Sequence, residues 1–509
     1  MNHSKILVYS SVFFFLLSAC GGSSGGGGSD GGGDDGDEIT NTLGDAYPTD
    51  LALASPFATS SGGSALKKQE AFTPPVTHEE KKEVIAEILE ADTPDGCFNF
   101  SGELKGEETR PECYGPPLAL TGTHPDGGGL PVTLPGGDLG IMEEYEGDEA
   151  CIATKVNNSF EAAERRTDFA QWVTASILCV ANQNGIALPA TVGESVDLTD
   201  EYTAALPDRA PITPDSVTLQ LVAAGTYKTS ISGTVESPEG DTFETAMSLT
   251  HAPLDATNST FEGLLQHRVT SDNFGAMANC GAGTRTAAAS VLYAKESASS
   301  LKVRFKHAMF CGEADDADVF DANGEVDPTN KYATAGNDCA GTVAINPNGW
   351  GDTFVNSVMN TDPETGFGKM TWAWQAGRCD GHTRVAKASI LATGGTDGAP
   401  GGCGYVGFGP DAAEDTVGDT DGMICNWTGP GSGPFNGKTI QDLVQRQCVT
   451  LEDGVYVSVS DQLNIAYAPT NSCDSNGALF CDGVACVTTN DLLDIDEMSF
   501  TAPTPPDPL

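Results

Sequence analysis

The chain has 509 residues, with 72 acidic against 25 basic side chains and a formal net charge of −47. Phosphate contacts need clustered Lys and Arg, so this balance excludes nucleic-acid binding. At this length two or three domains are expected, and 15 cysteines set a further constraint.

Residues 1–19 join one lysine, the apolar run ILVYSSVFFFLL and a small-residue end, the pattern of an export signal too short to span a bilayer. Leu17-Ser18-Ala19-Cys20 resembles the lipobox of bacterial lipoproteins. The resemblance covers the first twenty residues alone. It implies cleavage before Cys20 and membrane attachment through a lipid on Cys20. Gly21, in place of Asp, implies onward transport to the outer membrane, on its periplasmic or cell-surface face. No later apolar run reaches the roughly 18 residues of a membrane-spanning helix.

Setting Cys20 aside leaves an even set of cysteines, which in an exported chain points to a disulfide framework. No C-x-x-C pair argues for zinc, and no C-x-x-C-H for haem. Position along the chain suggests the pairs Cys97–Cys113, Cys151–Cys179, Cys280–Cys311, Cys379–Cys403 and Cys425–Cys448.

Residues 20–76 read as the lipidated cysteine and a Gly/Asp-rich disordered tether. A helical, loop-rich leading region follows over 77–215. Its first helix starts at the capping box Thr77-His78-Glu79-Glu80 and carries Val84, Ile85, Ile88 and Leu89 on one face. A second helix runs from about Ser159 to Asn184, with Phe169, Trp172, Val173, Ile177 and Val180 apolar and Gly185 as its stop.

From about residue 216 the period changes to two. In LKVRFKHAMF, Leu301, Val303, Phe305, His307 and Met309 alternate with Lys302, Arg304 and Lys306. A set of features then occurs twice in the same order. GDTF stands at 240–243 and 351–354, and an apolar strand follows each. CGAGTRTAAASVL (280–292) is matched by CDGHTRVAKASIL (379–391). Cys-Gly returns at Cys311 and Cys403, and an acidic Asx-Gly loop follows each. Preserved order with variable loops indicates an internal repeat.

The expected fold is α+β and mainly β: an internally duplicated, disulfide-stapled antiparallel meander forming a barrel or sandwich, behind an N-terminal helical region. Repeat 1 covers 216–335 and repeat 2 covers 336–424. A small α+β region spans 425–500, with NGKTIQDLVQRQC as a helix, and a disordered tail spans 501–509.

Three constellations are candidates for chemistry. Asp316, Asp318, Asp321, Asn323 and Asp327 in one acidic loop, and Asp415, Asp419 and Asp421 in the other, offer oxygen ligands to calcium. Neither loop fits an EF-hand, and solvated acidic turns are the alternative. Lys302, Arg304 and Lys306, with His267, Arg268, Arg285 and Arg384, offer an anion-binding face, or ion pairs with the many carboxylates. Trp372 and Trp374 form an aromatic stripe that serves either a ligand platform or the core.

No H-E-x-x-H and no P-loop occurs. The expected function is a membrane-anchored envelope or surface lipoprotein of non-catalytic type, binding a small ligand or an envelope protein. A secreted-type hydrolase and a structural partner in an outer-membrane assembly are the alternatives. Calcium is the one cofactor candidate.

Overall fold

A computed structural model describes residues 46–48, 51, 53, 78–98, 151–207, 210, 212–236, 242–271, 284–311, 313–314, 316–326, 353–363, 365, 367–376, 383–409, 445–453, 455–458, 478–481 and 486–488. Helix α1 is His78–Leu89, α2 is Pro94–Cys97, α3 is Cys151–Gln183, α4 is Thr199–Ala205 and α5 is Asp316–Val319. The strands are β1 Ser195–Asp197, β2 Ile212–Ala223, β3 Thr226–Glu236, β4 Thr242–Pro253, β5 Phe261–Ser271, β6 Arg285–Ser297 and β7 Ser300–Cys311. They continue as β8 Thr353–Thr361, β9 Gly368–Ala376, β10 Thr383–Leu391, β11 Gly401–Gly409, β12 Gln445–Glu452 and β13 Val455–Ser458.

These thirteen strands make one open antiparallel sheet in which every strand pairs with its neighbour in sequence. Among the described residues no ladder joins β13 to β1. A separate ribbon pairs β14, Ala478–Cys481, with β15, Cys486–Thr488. Strands β12 and β13 extend the main sheet, although the sequence set 425–500 apart as its own region. Gln445–Cys448, expected at the end of a helix, belong to β12, because the β-branched run that follows them pairs with β11 and β13.

Alternation explains which face of the sheet is buried. On β7 Leu301, Val303 and Phe305 are buried, while Lys302, Arg304 and Lys306 stand on the other face, as the period of two requires. The inner face of the sheet forms one continuous apolar core with the helices, from Val217 on β2 to Tyr456 on β13.

Helix α3 lies within that core. It is buried on every side from Ala170 to Ala181, which includes Gln171, Thr174 and Ser176. Apolar periodicity finds this helix but not its full enclosure. Its polar side chains bond locally: Thr167 donates to the Ala163 carbonyl and Ser176 to that of Val173. Ser176 also meets the Tyr202 hydroxyl at 2.9 Å, and the Tyr202 ring packs edge-on against Phe98.

Cys97 bonds Cys179, which overturns both Cys97–Cys113 and Cys151–Cys179. Helix α2 packs against the end of α3, so the two Cα atoms lie 5.5 Å apart across 82 residues of chain. Cys448 is disulfide-bonded, to a cysteine whose side chain lies outside the described residues. Cys280, Cys379 and Cys425 also lie outside them, and with them the three other expected pairs.

Part of the expected tether is core. Ala46, Tyr47, Leu51 and Leu53 are all buried. The Tyr47 carbonyl accepts from Asn258 Nδ2 and the Leu51 carbonyl from Gln171 Nε2. Side chains of the β4–β5 turn and of α3 therefore fix this segment.

The two written copies fall on β6 and β10, and GDTF leads into β4 and β8. Strand order is thus the same in β4–β7 and β8–β11. The registers differ: Arg285 stands opposite Ser271 and Cys311, Arg384 opposite Trp374 and Phe408.

Candidate functional site

Two of the expected sites meet on the outer face of the sheet. Residues 313–314 and 316–326 fold back as a strap across β5, β6 and β7. Asp316 pairs with Arg268 at 2.5 Å, Glu325 with Arg304 at 3.2 Å and with Lys306 at 3.6 Å. Lys302 pairs with Glu296 at 2.9 Å. Of the candidate calcium carboxylates, Asp316 thus pairs with the candidate cation Arg268, while Arg304 and Lys306 pair with Glu325 and Lys302 with Glu296, neither of which is a calcium candidate. Ala314, Val319, Phe320 and Val326 of the strap are buried. The Ala314 amide donates to Thr286 Oγ1 and the Val326 amide to Ser290 Oγ.

Asp321 accepts from the amides of Asn323 and Glu325, which shapes the turn. Gly324, at φ +79°, brings the turn down onto β5, where its carbonyl accepts from Gln266 Nε2. A Cβ there would lie 2.8 Å from both Gln266 Nε2 and Leu264 Cδ2. Among the described residues no group of three His, Cys, Asp or Glu is placed to hold a metal. The Asp318 side chain, Asp327, Asp415, Asp419 and Asp421 lie outside those residues.

His267 does not join this face. It lies on the inner face, on one row of the ladder with Ala289 of β6 and His307 of β7. By backbone register the row runs on through Val355 and Trp374 to Arg384. Trp372 shares the row of Phe305. The side chains of Arg285, Trp372, Trp374 and Arg384 lie outside the described ones.

Arg166, from the middle of α3, reaches this inner face. Its guanidinium carbon sits 5.7 Å from the centre of the Phe305 ring. The Phe305 and His307 rings are parallel, 6.3 Å apart, and Phe169 lies 6.3 Å from His267. Thr245 Oγ1 is 3.4 Å from His267 Nε2. Arg166, Phe169, His267 and His307 are half-buried, whereas Phe305 and Ala289 are buried. Burial pushes the His267 pKa down to about 3, and the Arg166 charge pushes the same way. Burial, then Arg166, then His267 hold His307 well below the usual range. Both imidazoles are neutral beside a fixed positive charge.

A second inner network centres on His251. Asn258, in the β4–β5 turn at φ +53°, gives its amide hydrogen to the Tyr47 carbonyl, so its Oδ1 faces His251 Nε2 at 2.9 Å as acceptor. His251 therefore carries its proton on Nε2, and its Nδ1 accepts from the Tyr293 hydroxyl at 3.3 Å. Gly263, between them on β5, makes this contact reachable, because a Cβ there would collide with the Tyr293 ring. Burial lowers the His251 pKa to about 3, against the opposing Asn258 bond. Burial also holds the Tyr47 phenol well above its usual pKa, helped by Asp168 and then Tyr293.

Sequence reasoning named His267 but missed Arg166 and the role of His307. The available signal was Arg165-Arg166, a basic pair inside a helix that carries few other cations. No protein-family model, no curated protein and no solved structure matches this chain.

Proposed function

We propose that this chain is an envelope lipoprotein, anchored through Cys20, whose folded sheet binds a ligand or an envelope protein and performs no reaction. The observation that carries the binding role is the half-buried cluster of Arg166, His267 and His307 on the inner face of the sheet. The outer-face cations support the same reading from the other side, since the strap already holds them. The lipobox-like Leu17–Cys20 supports the anchor. On this reading the two written copies are a duplicated four-strand unit whose registers have drifted.

Native mass spectrometry of the chain purified from its own host tests the proposal. A bound small molecule, calcium or envelope protein is the expected result. A bare chain in every preparation sinks the binding role. Cys20→Ala is expected to abolish incorporation of radiolabelled fatty acid, and persistent labelling sinks the anchor.

A further inference from the structure

We infer that the disulfide partner of Cys448 is Cys403, so that a cross-strand bond ties β11 to β12 and makes the last strands of the sheet covalently part of the duplicated unit. The expected pairs Cys379–Cys403 and Cys425–Cys448 give way to it.

Register carries the inference. Cys448 is disulfide-bonded and buried. Strands β11 and β12 run antiparallel, and Cys403 stands directly opposite Cys448, between the rungs Gly402–Val449 and Gly404–Gln447. Directly opposed residues of an antiparallel pair hold their Cα atoms about 4.5 or 5.5 Å apart. Both spacings fall in the disulfide range of about 4.4–6.8 Å. Diagonal neighbours, two positions along, lie about 7–8 Å off and outside that range. The two strands are close at this point, since a Cβ on Gly401 would collide with the Val449 carbonyl oxygen. On its other side β12 pairs with β13, Val455–Ser458, which holds no cysteine.

The same opposition occurs a second time. Five cysteines lie on the described strands: Cys311, Cys403, Cys448, Cys481 and Cys486. Cys311 faces Arg285, but Cys481 on β14 and Cys486 on β15 also stand directly opposite each other. Cysteine thus faces cysteine at four of five strand positions, in a chain where it is 15 residues of 509. Residue frequency alone does not produce that match.

Closing the bond breaks two S–H bonds and forms one S–S bond. The two thiols release two protons and two electrons, and a disulfide oxidant takes both and becomes a dithiol. The bond turns residues 404–447 into a closed loop that includes Cys425, Asp415, Asp419 and Asp421.

The test maps disulfides in the full chain, alkylated on isolation and cleaved before aspartate without reductant. Cleavage at Asp397, Asp411, Asp421, Asp442 and Asp453 places Cys403 in 397–410, Cys425 in 421–441 and Cys448 in 442–452. Peptides 397–410 and 442–452 are expected joined to each other. Joining of 442–452 to 421–441, or to any third peptide, overturns the pairing, and so does an alkylated Cys448. Cys403→Ser should raise alkylation of 442–452 from none to one label per chain. A Cys403→Ser chain in which Cys448 keeps the partner it has in the parent overturns the pairing. The parent map decides the matter even where the variant does not fold.

Discussion

Arg304 and Glu325 meet at 3.2 Å on the outer face of the sheet, and Glu325 is 6% exposed where they touch. This pair joins the most basic of the described strands to the acidic strap, and Lys306 reaches the same carboxylate. Replacing Glu325 by Gln leaves two cations facing a neutral group. The expected loss is about 1–2 kcal/mol, between the values for exposed and enclosed pairs. Urea denaturation checks it, and a cycle with Arg304→Met should recover part of the loss as coupling.

Gly324→Ala should lift the strap without touching a charge. The new Cβ would sit in a positive-φ turn and 2.8 Å from Leu264 and Gln266. A loss of about 1–3 kcal/mol is expected. Hydrogen exchange at the Val326 and Ala314 amides, which Ser290 and Thr286 hold, should accelerate more than exchange within α3.

Acid should unfold the inner face through its histidines. The His251 pKa is about 3 folded and about 6.5 unfolded. Between those values the unfolded chain binds the extra proton, so the stability contribution is present above pH 6.5 and is lost as pH falls toward 3. His267 and His307 shift in the same direction. His251 and His267 each contribute a slope of up to about 1.4 kcal/mol per pH unit in that window. His251→Gln should flatten the dependence of the unfolding free energy on pH, and an unaltered slope would count against the neutral imidazole.

Cys97–Cys179 closes a loop of 82 residues. Loop-closure entropy puts its contribution at about 4.5 kcal/mol. Cys97→Ala with Cys179→Ala should lower the unfolding midpoint accordingly. Non-reducing peptide mapping of the parent chain should recover the peptides of Cys97 and Cys179 joined, and neither joined to Cys113 or Cys151.

Much of the architecture is written locally. Val303 and Phe305 alternate with lysine and arginine, and Ile85 and Ile88 recur at helical spacing, so β7 and α1 can be read directly. The acidic loop and the basic strand are equally plain. What local pattern does not carry is that they belong to each other, because the strap folds back over strands that precede it. Tyr47 stays hidden for a related reason. One aromatic in a polar, glycine-rich stretch has no periodicity, and its burial depends on Asn258, far along the chain. The inner site is illegible because Arg166 lies on a helix and its companions on β5 and β7. Only packing sets a helical residue beside a row of the ladder.

The bond from Asn258 to the Tyr47 carbonyl spans 211 residues, while every rung of the main sheet joins sequence neighbours. Loop closure over that distance costs about 2–3 kcal/mol more than closing a ten-residue hairpin. The zipper of strands can therefore propagate from turn to turn with little chain entropy lost at each step. Tyr47 and Leu51 gain these partners from a finished β4–β5 turn and a placed α3. On the anchor proposed through Cys20, that last contact leaves 25 residues of sequence, 21–45, between the lipid and the buried Ala46.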